Sequence, residues 1–184
     1  MLRNAFIAMA LCAGASPVAQ DWAAADRATR RLPPSLFTEL PQAIRLELVR
    51  RGCTIPQPFA ATEPQNVIEG PFTSADRVDW AVLCSRRGVS SILVFRGGAT
   101  AAPDEFGAAP DSTYLETIDD RGTIGYTRAL AVATPEYIRR HDVADGGPQP
   151  PPLDHEGIDD QFLEKASVVW YWYRGRWLEL QGAD

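Results

Sequence analysis

Lysine is almost absent. The 184 residues hold one, Lys165, against 17 arginines, and the 18 basic side chains are outnumbered by 24 acidic ones, for a formal charge of −6. Such a balance supplies no basic stripe to neutralise phosphates, so nucleic acid is not expected as a partner. No apolar run approaches the roughly 20 residues that cross a bilayer, and no transmembrane segment is expected in the mature chain. The signatures of common enzymes are missing: there is no G-x-S-x-G, no H-E-x-x-H, no Gly-rich phosphate loop with Lys and no C-x-x-C. The usual grounds for proposing catalysis go with them. Histidine is scarce too, with only His141 and His155, each beside acids in loop-like surroundings that suit a bracing role.

What is present fits one globular domain, with 45% hydrophobic and 23% charged residues. The opening MLRNAFIAMALCAGASPVAQ has Arg3, an apolar stretch Ala5 to Ala13 and a small-residue region, the layout of a secretory leader. Cleavage is expected after Ala15 or after Gln20, giving a signal peptide over 1–20, a single α+β domain over 21–184, and a periplasmic or secreted location. Cys12 leaves with the leader. The remaining pair, Cys53 and Cys84, then reads as a disulfide of an oxidising compartment.

Periodicity gives the expected elements. A polar lead-in covers Asp21 to Arg31. Leu40, Ala43, Ile44 and Leu48 share one face of a helix expected within Leu32 to Arg51, with Pro41 at its first position and Gly52 past its end. Thr54 to Pro64 is Pro-rich and expected to be irregular. Strands are expected at NVIEGPF, at DWAVLC and at Ser90 to Arg96, the last two joined by the turn Arg86-Arg87-Gly88. Gly97 to Asp111 reads as a long loop. Ser112 to Ile118 and Ile124 to Val132 read as strands around Asp119 to Gly122, and a short helix follows with Thr134 as cap, Pro135 first and Glu136 in its first turn. The segment from Asp142 to Asp160 is rich in Pro and acids. ASVVWYWY and RWLELQ form a β-hairpin through Arg174-Gly175, with Trp170 and Trp172 on one face and Tyr171 and Tyr173 on the other. The fold class is therefore α+β: a mainly antiparallel sheet of about five to seven strands, an N-terminal helix packed on it, and one disulfide.

Two groups of residues are candidate sites. Trp170, Trp172, Tyr171, Tyr173 and Trp177 form either core faces or a binding platform. Asp154, Glu156, Asp159 and Asp160 cluster around Gly157, where a hard cation such as calcium would find oxygen ligands; the alternative is a set of acids capping a helix that begins at GIDDQFLEK. The same acids with His155 are the first candidates for a small carboxylate-dependent hydrolase.

Gly70 to Val82, GPFTSADRVDWAV, resembles the FG-GAP repeat of integrin-like propellers: Gly70, Phe72, Asp79, Ala81 and Val82 match at the same spacing. The family's cation ligands fall where this chain has Pro71, Thr73 and Ala75, so Asp79 is left to tie the turn before the strand. A single such segment is too short for a propeller. More broadly, the order GCTIPQ, DWAVLCS, DHEGIDD, KAS and GRWLELQGAD resembles a group of uncharacterised bacterial exported proteins with one degenerate FG-GAP-like segment. That resemblance implies location and fold type but no activity. The reading is an exported, non-catalytic binding protein for an unknown protein or cell-envelope ligand. The alternatives are a periplasmic inhibitor or immunity protein, the hydrolase above, or a structural envelope component.

Overall fold

The computed structural model describes residues 21–144 and 150–183. The leader read at 1–20, with Cys12, lies outside the described residues. The polar lead-in contains a helix: α1 covers Trp22–Ala28, and the Asp21 carboxylate accepts a hydrogen bond from the Ala24 N–H at 2.8 Å. Alanine-rich sequence with an Asp cap is enough to start a short helix. The helix expected from Leu32 is shorter than the apolar pattern suggested. Arg31–Leu32 (β1) pairs antiparallel with Ile55–Pro56 (β2), and Pro34–Leu36 makes one 3-10 turn. Helix α2 runs only Gln42–Arg51, with Pro41 as the residue before it. Gly52 closes it at φ 72°, a left-handed position that suits glycine.

The first large sheet is a meander, β3 (Val67–Gly70), β4 (Asp79–Arg86), β5 (Val89–Phe95) and β6 (Asp104–Pro110), in that spatial order. Arg87 and Gly88, both at positive φ, form the two-residue turn between β4 and β5. Strand β6 corrects the expected long loop. Its Gly, Ala and Pro content carries no strand signal, but pairing with β5 and the partly buried Phe106 hold it in the sheet, through a register irregularity opposite Ser90 to Ile92.

The strand expected over Ile124 to Val132 is two strands in different sheets. β7 (Leu115–Thr117) and β8 (Ile124–Tyr126) form a small ribbon, and β9 (Arg128–Ala133) belongs to the second large sheet. The break is Thr127, whose N–H and hydroxyl both donate to the Tyr114 carbonyl at 2.8 Å. Helix α3 (Pro135–Ala144) starts as read, with the Thr134 hydroxyl accepting from the Tyr137 N–H. The GIDDQFLEK stretch is not helical: Gly157–Phe162 is β10, a central strand. β11 (Ala166–Tyr173) and β12 (Arg176–Gln181) form the expected hairpin, and the second sheet runs β12-β11-β10-β9. The described residues thus hold two four-stranded antiparallel sheets and two two-stranded ribbons instead of one sheet.

Three apolar clusters order the layers. Phe37, Leu40, Ile44, Leu48 and Ile55 share one with Val82, Cys84, Leu93 and Phe95 on one face of the first sheet. The other face, through Ala81, Leu83, Ile92 and Val94, meets Leu130, Ile158, Trp170 and Trp177 of the second sheet. Ala133, Val169 and Tyr171 on the far face of the second sheet pack with Ile138 of α3. Alternating residues of β4 and β11 therefore serve two cores each, which is why both read as continuously apolar.

Cys53, just past α2, is bonded to Cys84 of β4, with Cα atoms 5.1 Å apart and 31 positions between them. Closing a loop of that length restricts the unfolded chain. Replacing both cysteines with alanine is expected to lower the unfolding free energy by about 3–4 kcal/mol in urea denaturation, and reductant should have no effect on the double variant.

Candidate functional site

Between the two sheets lies a full ion pair. Arg128 opens β9 and Asp160 stands on the adjacent strand β10; their side chains are 0% and 7% exposed. The guanidinium meets the carboxylate with two parallel bonds, Nε to Oδ1 and Nη2 to Oδ2, both at 2.8 Å. It reaches into the first sheet as well. Nη1 donates to the Ser90 carbonyl at 3.2 Å and the Ser90 hydroxyl at 3.1 Å, and Nη2 donates to the Gly107 carbonyl at 2.7 Å. Burial works against the charge on Arg128, but the bonds and charge of Asp160 more than offset it and leave the guanidinium above its ordinary pKa.

Gly107 makes this approach possible. It sits in β6 at φ 61°, and a Cβ there would lie 3.1 Å from Arg128 Nη2 and 3.5 Å from both Asp160 Oδ2 and Trp170 Cζ2. The Tyr114 ring lies 4.6 Å from the guanidinium carbon, and burial raises its phenol pKa, so the hydroxyl stays neutral.

Over this pair runs a groove of about 330 Å³. Its floor is Gly107, Ala108 and Ala109 of β6 with Asp160. Its walls are the rings of Tyr114, Phe162 and Trp170, and Ala166, Ser167, Val168 and Glu179 complete it. Tyr114 and Phe162 are 5.5 Å apart between ring centroids. The groove is mainly apolar with a few convergent polar groups, which is the general character of small-molecule sites.

The aromatic residues singled out from the sequence divide between surroundings. Tyr171 is fully buried against α3. Trp170 and Trp177 pack at 4.8 and 4.7 Å from Phe106 in the core between the sheets, and Trp177 Nε1 donates to Asp104 at 3.0 Å. Trp172 lies edge-on to Trp177 and under the Arg96 guanidinium, 4.1 Å from its ring. Tyr173 is partly buried beside the turn at Arg174-Gly175, with the Arg174 guanidinium 5.1 Å from its ring. Of the five, Trp170 alone lines the groove.

The four acids are not brought together. Neighbouring residues on a strand point to opposite faces, so Asp160 turns to Arg128 while Asp159 turns to α3. There the Asp159 Oδ2 atom accepts from the Tyr137 hydroxyl at 3.0 Å and from Gln161 at 2.7 Å. Asp154 is at the surface, and Glu156 Oε2 lies against Gly70, 2.7 Å from where a Cβ would stand. Among the described residues no three His, Cys, Asp or Glu side chains are placed to hold a metal ion. His155 braces this segment: Nδ1 lies 2.9 Å from the Glu156 carbonyl and Nε2 3.0 Å from the Trp172 carbonyl, with the ring stacked on Tyr171. Both nitrogens thus face backbone carbonyls, to one of which a neutral ring donates. His141 lies in α3 instead, its ring tilted against that of Tyr137 at 4.5 Å between centroids.

Asp79 does tie its turn. Buried completely, it accepts from the Thr73 N–H at 2.8 Å, the Thr73 hydroxyl at 2.5 Å, Arg77 Nε at 3.1 Å and the Gly97 N–H at 2.7 Å. The 73–76 turn, Asp154, His155 and the tip of the β11–β12 hairpin border a second, more polar cleft of about 430 Å³.

No protein-family model, curated protein or solved structure matches the chain. Sequence reasoning pointed to Trp170 and Asp160 for unrelated reasons and passed over Arg128, Gly107, Tyr114 and Phe162. One signal was available for Arg128: a charged residue heading the apolar strand RALAVA needs a buried partner.

Two expectations follow. Arg128→Met, which strands the Asp160 carboxylate between the sheets, should cost about 3–5 kcal/mol in chemical denaturation, and adding Asp160→Leu should restore a large part of that loss. Because the acids are dispersed, millimolar calcium should leave the melting temperature unchanged in a thermal scan, whereas a rise of several degrees would show that a cation site assembles.

Proposed function

We propose that the chain is an exported binding protein without a catalytic role, and that its ligand occupies the groove above the Arg128–Asp160 pair. The observation that carries this is the groove itself: three aromatic walls over a floor whose carboxylate, Asp160, is already held by two hydrogen bonds from the buried Arg128. A floor fixed before any ligand arrives loses little order on binding, which is how a small apolar site gains affinity. Export is supported by the Cys53–Cys84 disulfide, which suits an oxidising compartment, and by the leader-like opening of the sequence. No helix among the described residues is long and apolar enough to cross a membrane.

The hydrolase reading finds less support. Asp154, Glu156 and Asp159 face different surroundings, and His155 has both ring nitrogens against backbone carbonyls. A protein ligand, including the target of an inhibitor or immunity protein, remains the second reading, favoured by the polar cleft at the β11–β12 tip, which gathers three separated segments.

Titration with p-cresol, a neutral ring-bearing probe, tests the groove by NMR. The indole N–H signal of Trp170 is expected to shift while that of exposed Trp22 stays put. Ala166→Tyr, a substitution at an exposed strand position that fills the groove, should abolish the shift. No shift at Trp170, or the same shift in the variant, would count against the groove as the binding site.

A further inference from the structure

The polar groups around the groove decide which ligand chemistry it accepts. An arginine has five N–H donors, and all five of Arg128 are in use: Nε on Asp160, two from Nη1 on the carbonyl and hydroxyl of Ser90, and two from Nη2 on Gly107 and Asp160. The indole N–H of Trp170 points at Asp160 Oδ2 at 3.4 Å. Ser167 is also on the lining, but its hydroxyl lies 3.1 Å from the Tyr137 hydroxyl and accepts from the Ala183 N–H. Lys165 stacks on Phe162 at 4.8 Å, yet its ammonium is held by Glu116. What the groove still offers is acceptor capacity on the carboxylate of Asp160, the exposed carboxylate of Glu179, and the neutral hydroxyl of Tyr114.

Charge points the same way. Arg128 and Asp160 cancel, so the lining carries the single uncompensated negative charge of Glu179. An anion would meet two carboxylates and no cation free to answer it. A neutral ring would fill the walls but leave the acceptors to water.

We infer that the groove takes a small molecule joining an aromatic ring to a protonated amine, with the ring against Phe162 and Trp170 and the ammonium toward Glu179 and Asp160. Partner chemistry of this kind combines ring burial with a charge-assisted hydrogen bond, the two contributions the site is built to supply. The inference rests on the groove being the binding site. It also explains why the floor is made of Gly, Ala and Ala: a bulkier strand face would occupy the space where the ring lies.

Three probes of similar size separate the possibilities: phenethylamine, phenethyl alcohol and phenylacetate, each titrated at pH 7 and low salt while the Trp170 indole N–H signal is followed. Phenethylamine is expected to bind at least tenfold more tightly than the alcohol, and the carboxylate more weakly than either. Glu179→Gln, at an exposed position, should remove most of the amine's advantage while leaving the alcohol unchanged. Ala166→Tyr should abolish binding of all three. Equal affinities for amine and alcohol, or an advantage that survives Glu179→Gln, would overturn the amine assignment and leave the groove standing as an apolar site. If no probe moves Trp170, the amine assignment and the groove reading fall together.

Discussion

An arginine cannot shed its charge inside a protein, and the rest of this fold is arranged around that constraint at Arg128. Removing a guanidinium from water costs several kcal/mol unless every donor is matched, and here the match comes from three strands at once. Asp160 holds it from β10, Ser90 from β5 and Gly107 from β6. Shifting β9 by one residue would turn Arg128 to the α3 side and bring Ala129 beneath the first sheet. The pair therefore penalises register errors in the second sheet and misplacement of the first sheet upon it.

Asn66 performs a related task at another part of the interface. Its backbone carbonyl accepts from Leu83 of β4, and its side-chain amide pairs with the carbonyl of Arg128 and the N–H of Leu130 on β9. One buried residue thus continues the hydrogen-bonding pattern of both sheets across the gap between them. With Trp177 bonded to Asp104, the two sheets meet through specific polar contacts as well as through an apolar core. Polar contacts of this sort define one arrangement among the many that apolar packing alone tolerates.

The legible parts of the fold are those whose signal is local. The two hairpins announce themselves by Arg-Gly turns that adopt positive φ at both residues, and α2 by Ile44, Leu48 and the terminating Gly52. The pair Cys53 and Cys84 is readable once Cys12 is assigned to the leader-like opening. What escaped is held by partners far away in the chain. β6 has the composition of a loop and is a strand because β5 pairs with it. β10 begins with acids that look solvated or helix-capping, and each acid is instead claimed by a different layer, Asp159 by Tyr137 and Asp160 by Arg128. The groove shows the same limit. Trp170 was visible as part of an aromatic face and Asp160 as part of an acidic run, but nothing in either pattern says that they adjoin, or that Gly107 and Arg128 complete the site. Those contacts span 10 to 63 positions of sequence, and the ones that Gly107 makes exist only once the sheets have stacked.

Gly107 belongs to both halves of this description, since its missing side chain admits the arginine and also forms the groove floor. Position 107 is thus a point where the freedom to diversify is lost: any side chain that reshaped the cavity from below would also press on the buried charge. Substitutions that reshape the groove without disturbing Arg128 are left to the opposite wall, at Phe162, Ala166 and Glu179. The groove is in that sense a fixed floor with an adjustable rim, and change in its shape is channelled to one side.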